Sequence, residues 1–261
     1  MDYQTIKLTK EQGVATILLN RPESMNALNE EMLKEMVAVT GEVGVDNEVK
    51  VVVVTGAGRG FCAGGDLSSP MYANTNPAEI MKLIIEFGKI PINLRNMPKP
   101  VISAINGAAV GAGLGFALAA DIIIASEKAK FGHIYTNIGL MSDAGSIYFL
   151  PRLVGLPKAC DIIFTGKVID AKEAERIGLV SQVVPADQLD SVTKELALKL
   201  SKRPPVAVGL AKISLYQGMG MDLPTAIEWE ARAHALSFFT EDMKEGISAF
   251  KEKREPVFKG R

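Results

Sequence analysis

The sequence predicts an α/β fold, a core of alternating strands and helices closed by a helical C-terminal region. Three observations carry this. Buried β-rich runs recur through the first half, VVVVTG (51–56), VISAI (101–105) and DIIIAS (121–126). Helical patterns alternate with them. From Ala186 onward the chain reads as helix, interrupted at Pro204-Pro205 and Pro224. The 261 residues, 48% of them hydrophobic, suit one large domain or a core with a small appendage. The expected division is a core over residues 1–200 and a helical region over 201–261.

The elements follow in order. Residues 3–9 and 14–19 flank Glu11-Gln12-Gly13 and read as a hairpin. Asn29 is placed to cap a helix beginning NEEMLKEM. The 51–56 strand runs into GAGRGFCAGGDL, read as a loop, and 77–93 reads as helix. The strand around 98–107 leads to a second glycine turn and a short buried helix, GAGLGFALAA. After the 121–126 strand come helical patterns at 144–153 and 157–164. AKEAERIG follows, a helix stopped by Gly178, and then a short strand in LVSQVV.

Composition narrows the function classes. A net charge of −1 gives no long-range pull toward nucleic acid or an anionic membrane. Cys62 and Cys160 lie far apart in no CxxC pattern, so neither a metal site nor a disulfide framework is expected, and a reducing, cytoplasmic setting fits. The first twelve residues are charged and lack the apolar core of a signal peptide. Val101 to Ala120 is long enough to span a bilayer. It is built largely of Ala and Gly, holds Asn106 and runs into Asp121, so it reads as a buried strand–turn–helix.

Two glycine-rich turns stand out. The first, Gly56 to Leu67, leaves a buried strand. The second, Gly107 to Gly115, leaves another and enters a helix. Glycine lets backbone approach a ligand closely, and successive N–H groups in such turns form anion-binding concavities. Neither turn ends in the Gly-Lys-Ser/Thr of a P-loop. Phe61 and Phe116 stand where a GxGxxG fingerprint needs its third glycine. Spacing alone leaves tight packing and anion binding equally open.

Phe61-Cys62-Ala63-Gly64-Gly65-Asp66-Leu67 resembles the FxAGxDL segment of the crotonase (enoyl-CoA hydratase/isomerase) superfamily. Lys99-Pro100-Val101-Ile102 through Asn106-Gly107 and Gly111-Ala112-Gly113 resembles its KPVIAAVNG…GGG segment. Asn20-Arg21-Pro22, Met25 to Leu28, Phe131-Gly132, Ile138 to Leu140 and Glu245 to Arg254 match further along. The resemblance spans the chain in order. It implies a spiral of ββα turns with a helical C-terminal trimerisation region, assembled as a homotrimer or a dimer of trimers. It implies an acyl-CoA substrate, with no cofactor beyond the coenzyme A that the substrate carries. It assigns the N–H groups of Gly65 and Ala112 to the thioester oxygen. Ser24, Met25, Ala63, Asp66, Leu67 and Ser68 match positions lining the coenzyme A arm. Phe250 and Lys253 match positions that reach the nucleotide end from a neighbouring subunit, or else are a core side chain and one charge on a solvated helix end.

The family's hydratases carry two glutamates, a pair suited to adding water across a double bond. Here those positions are Gly115 and Tyr135. Tyr135 is read as a pocket hydrogen-bond donor or as a filler. A carboxylate follows at Asp143, and on sequence alone its ordinary role is a helix N-cap. The Gly139-Leu140…Asp143-Ala144-Gly145…Leu150-Pro151-Arg152-Leu153-Val154-Gly155 run resembles the phenylacetate-pathway ring-epoxide/oxepin-CoA isomerases, in which this Asp faces the substrate. One carboxylate suffices for a 1,3-proton shift, so the expected function is an enoyl-CoA double-bond isomerase. Hydration or lyase chemistry on an unusual acyl-CoA is the second expectation. A non-catalytic acyl-CoA or RNA binder is the third, though Lys251–Arg254 is the one basic cluster that favours RNA. His133 is read at the edge of the acyl pocket and His234 as packed or solvated. Cys62, with no histidine partner indicated, is not expected to act as a nucleophile. Residues 68–80 read as an irregular segment over the acyl pocket.

Overall fold

The computed structural model describes residues 3–73 and 76–261. The charged N-terminal reading therefore loses Met1 and Asp2, and the irregular 68–80 segment loses Asn74 and Thr75, which lie outside the described residues. The chain opens with a hairpin, β1 (Ile6–Glu11) and β2 (Val14–Leu19). Helix α1 (Glu30–Val45) follows, and the Asn29 side chain accepts from the Met32 N–H as its cap.

Three turns of a spiral come next. In the first, β3 (Val51–Gly56) leads to the short β4 (Gly60–Cys62) and then to α2 (Pro77–Asn96). In the second, β5 (Val101–Ile105) leads to β6 (Ala108–Val110) and α3 (Ala112–Leu118). The third runs from β7 (Ile122–Ser126) through β8 (Lys130–Gly132) to α4 (Ser146–Val154) and α5 (Leu156–Thr165). Then come β9 (Val168–Asp170), α6 (Ala171–Arg176), β10 (Gln182–Val184) and α7 (Leu189–Ser201). Helices α8 (Pro205–Gly218), α9 (Leu223–Phe238) and α10 (Glu241–Glu252) complete the chain.

The five long strands and the short β10 form one sheet, β1-β2-β3-β5-β7-β10, parallel except for the hairpin. The short strands form a second, β4-β6-β8-β9. Each spiral turn thus spends one strand in each sheet. The loop expected over 56–67 contains β4, and the second turn contains β6. Three-residue strands give periodicity too little length to register. The 101–120 stretch folds as β5, β6 and α3. Among the described residues no helix is long and apolar enough to cross a membrane.

The main core lies between the two sheets and helices α1 to α4, with Phe61, Phe87, Phe116 and Phe131 fully buried. A smaller core lies between the large sheet and α7. Helix α9 differs sharply, because it buries no residue. Full burial of a large apolar side chain stabilises by about 1.5–3 kcal/mol, and α9 draws none of this from its own core.

Candidate active site

The first glycine turn is laced down from both sides. Asn26, buried and left-handed, donates from Nδ2 to the carbonyls of Ala57 and Gly60. Asn106 donates to the carbonyls of Gly58 and Gly60. The 20–28 segment pairs with the end of the turn: the Ala63 N–H reaches Met25 O, the Leu28 N–H reaches Gly64 O, and the Asp66 N–H reaches Leu28 O. Arg21 donates to Asp66 at 3.0 Å, and the Ser68 hydroxyl donates to it at 2.6 Å. Ser68, and then Arg21, hold the Asp66 carboxyl below the usual carboxylate range.

The second turn meets the first. A Cβ on Gly64 would stand 3.3 Å from the Ala112 nitrogen and 3.5 Å from the Gly111 Cα. Gly111 precedes α3 at φ 54°, ψ −129°, a conformation open to glycine and costly for any other residue. Its N–H is pinned to Gly132 O at the end of β8. Ala112 is the first residue of α3, where N–H groups have no partner within the helix. Among the described residues neither the Gly65 nor the Ala112 N–H donates to a backbone carbonyl. Such a pair of donors can hold one developing oxyanion.

The 133–146 segment closes over these turns. Tyr135 is buried, with its ring beside Gly111. Its hydroxyl donates to Asp143. Burial raises the Asp143 carboxyl above its ordinary range, against the Tyr135 hydrogen bond, which lowers it. Burial and then the Asp143 charge push the Tyr135 phenol upward. His133 is fully buried against Tyr135, at 5.2 Å between rings, and burial lowers its pKa.

Asp143 is not a helix cap. Helix α4 starts at Ser146 behind Gly145, with no side-chain cap. The Asp143 side chain turns to Tyr135 instead, because the chain between it and the helix is left-handed at Ala144 (φ 49°) and Gly145 (φ 77°). The alanine there costs about 1–2 kcal/mol, a local strain of the kind that gathers at functional sites.

That bend fills the space of the missing glutamate. A Cβ on Gly115 would stand 2.5 Å from the Ala144 carbonyl oxygen, 2.8 Å from its Cβ and 3.0 Å from the Ser146 hydroxyl. Gly115 thus admits no side chain while the Asp143 segment stays in place. The absent acid is visible in the sequence, whereas the Ala144 bend that takes its space is visible only in the fold.

Other expected residues are placed differently. Ser24 donates to the Arg21 carbonyl beside the first turn, Ala63 is half-buried, and Leu67 is exposed. Phe250 is 86% exposed, so it is not a core side chain in this chain. Lys253 ends α10 in a left-handed conformation, far along the chain from the turns. His234 is exposed on α9. Burial pushes the Cys62 thiol up to about 12, which leaves it no thiolate at neutral pH. Among the described residues no group of three or more His, Cys, Asp or Glu stands together as metal ligands would. Tyr72, which sequence reading passed over, lies against Gly65.

The comparisons agree with this architecture. A family model for enoyl-CoA hydratase/isomerase matches residues 9–261. The chain belongs to the enoyl-CoA hydratase/isomerase family. It is 43% identical to a short-chain-enoyl-CoA hydratase of Clostridium acetobutylicum, over 97% of each chain. It is 36% identical to the 1,2-epoxyphenylacetyl-CoA isomerase of Escherichia coli, over 96% of this chain and 97% of that one. A crystal structure of an enoyl-CoA hydratase from Bacillus anthracis superposes with a TM-score of 0.95 at 36% identity, covering 99% of this chain and 100% of the other. The crotonase-type spiral fold follows.

Proposed function

We propose that this family member is an enoyl-CoA isomerase that shifts a double bond by proton transfer at Asp143. The observation that supports the reading is the closed space at Gly115, where Ala144, the neighbour of Asp143, fills the room that the first hydratase acid would need. In this account the N–H groups of Gly65 and Ala112 hold the thioester oxygen. Asp143 takes a proton from one carbon and the electron pair moves onto that oxygen as a dienolate. The protonated Asp143 then returns the proton two carbons away. Its raised pKa makes it a stronger base than an exposed carboxylate for taking the proton. Tyr135 acts as a positioning residue by fixing the carboxylate's direction. Ser24, Met25, Ala63, Asp66, Leu67 and Ser68 line the coenzyme A arm. Phe250 and Lys253 serve a neighbouring subunit of a homotrimer or dimer of trimers, a reading that the exposed Phe250 and the unburied α9 support.

A second reading, hydration with Asp143 as the water-activating base, is favoured by the name of the Clostridium relative. Incubation with 2-enoyl-, 3-enoyl- and dienoyl-CoA, followed by mass and ultraviolet absorbance, separates the two. The isomerase reading expects double-bond movement at constant mass that Asp143→Asn abolishes. It fails if Asp143→Asn stays within about fivefold of the parent rate, since a positioned base is worth about 10²–10⁴-fold.

A further inference from the structure

Tyr72 is delivered to the site by a short 3-10 turn, Pro70–Tyr72. That turn hangs from the end of the first glycine turn. The Ser69 N–H donates to the Asp66 carbonyl at 2.8 Å, and the Tyr72 N–H donates to the Ser69 carbonyl at 3.2 Å. Asp66 itself is tied to Arg21. The phenol is therefore carried back over Gly65 by backbone anchored one residue away.

Its hydroxyl occupies the space in which Gly65 would carry a side chain. A Cβ there would overlap the hydroxyl oxygen and stand 3.4 Å from the ring carbon bearing it. Any residue but proline supplies an N–H at 65, but glycine alone leaves room for this phenol. The hydroxyl also feels two carboxylates. Burial first, then the charges of Asp143 and Asp66, push the Tyr72 phenol up to about 12. It keeps its proton at neutral pH and remains a donor.

We propose that Tyr72 is a third donor to the thioester oxygen, its hydroxyl joining the N–H groups of Gly65 and Ala112. When a base removes the proton next to the carbonyl, the C–H electron pair forms the new C=C bond. The carbonyl π pair moves onto oxygen, and Tyr72 meets that charge with a hydrogen bond while keeping its proton. A donor held in a site that excludes water is worth far more than one in solution. The inference rests on the acyl-CoA part of the proposed function and not on the choice between isomerase and hydratase.

The test uses cinnamoyl-CoA, whose conjugated thioester shifts its absorption to the red when donors polarise the carbonyl. The parent protein should shift the band. Tyr72→Phe should bind the probe with a smaller shift and lose about 10²-fold in kcat with KM changed by less than about threefold, as for loss of one oxyanion donor. Gly65→Ala, which keeps its N–H and displaces the phenol, should shrink the shift in the same way. A full shift and parental kcat in Tyr72→Phe, with both lowered in Tyr72→Ala, would make Tyr72 a space-filler and overturn the proposal. A parent that binds the probe without any shift overturns it as well. A parent that shifts the band but moves no double bond refutes the isomerase reading alone, and Tyr72 is then judged on the shift.

Discussion

Asp121 and Asp143 each accept a hydrogen bond from a tyrosine, and their surroundings set them apart. Asp121, before β7, accepts Tyr216 at 2.6 Å and the Val101 N–H at 2.7 Å, and pairs with Lys212 at 2.9 Å. Lys212 also donates to the Leu94 and Lys99 carbonyls, and Arg95 lies 3.8 Å over the Tyr216 ring. Burial lowers the Lys212 pKa while Asp121 opposes the shift. This cluster fastens α8 to the start of β5. Asp143 is also largely buried and accepts Tyr135, but among the described residues it forms no ion pair, and its pKa is raised. A carboxylate saturated with donors and a cation is a brace. One that is buried with a phenol and no cation can still exchange a proton.

Substitution should split the two. Asp143→Asn should lower kcat by about 10²–10⁴-fold, with a thermal midpoint at pH 7 equal to or above the parent's. The sign follows from the raised pKa. A carboxyl with a higher pKa folded than unfolded destabilises the fold as pH rises through that window, and asparagine removes this cost. Steady-state kinetics and a melting curve read both. Asp121→Ala should do the reverse. It strands the buried Lys212 ammonium and should lower stability by about 3–5 kcal/mol, read from the urea midpoint, with kcat per folded molecule close to the parent's. If Asp121→Ala abolishes turnover without loss of stability, the comparison breaks.

Gly115→Ala forces a methyl group against the Ala144 carbonyl and should cost about 1–3 kcal/mol. Adding Ala144→Gly should recover part of that loss, and a double-mutant cycle by denaturant unfolding measures the coupling. Additive losses would mean that the Asp143 bend does not fill the Gly115 space. The smallest effect concerns Tyr135. Its hydrogen bond lowers the Asp143 pKa. In Tyr135→Phe the rise of kcat/KM with pH, which follows ionisation of Asp143, should move to higher pH, because the hydrogen bond that favours the charged carboxylate is gone. An unmoved pH profile would remove Tyr135 from the site.

Most of the large sheet was legible, because β1, β2, β3, β5 and β7 are five or six residues long and the last three are mostly apolar runs, while the three-residue β10 showed within LVSQVV. The small sheet escaped, since its strands are three residues each. The glycine turns were visible as spacing, whereas their convergence depends on the packing of Gly64 against Gly111 and Ala112. Asp143 was legible as a carboxylate in an apolar run, but the cap reading failed on the left-handed Ala144, which no propensity rule anticipates. Tyr72 gave no signal. Its meaning arises from the missing Cβ of Gly65, seven residues away in sequence and in contact in the fold.

The central claim is that a single carboxylate at Asp143 moves a proton without adding water. Turnover of 3-enoyl-CoA by the parent and by Asp143→Asn, with products weighed by mass spectrometry, tests it most directly. The account predicts an isomer of unchanged mass from the parent and almost none from the variant. A product heavier by one water from the parent, or parental turnover by the variant, would contradict it.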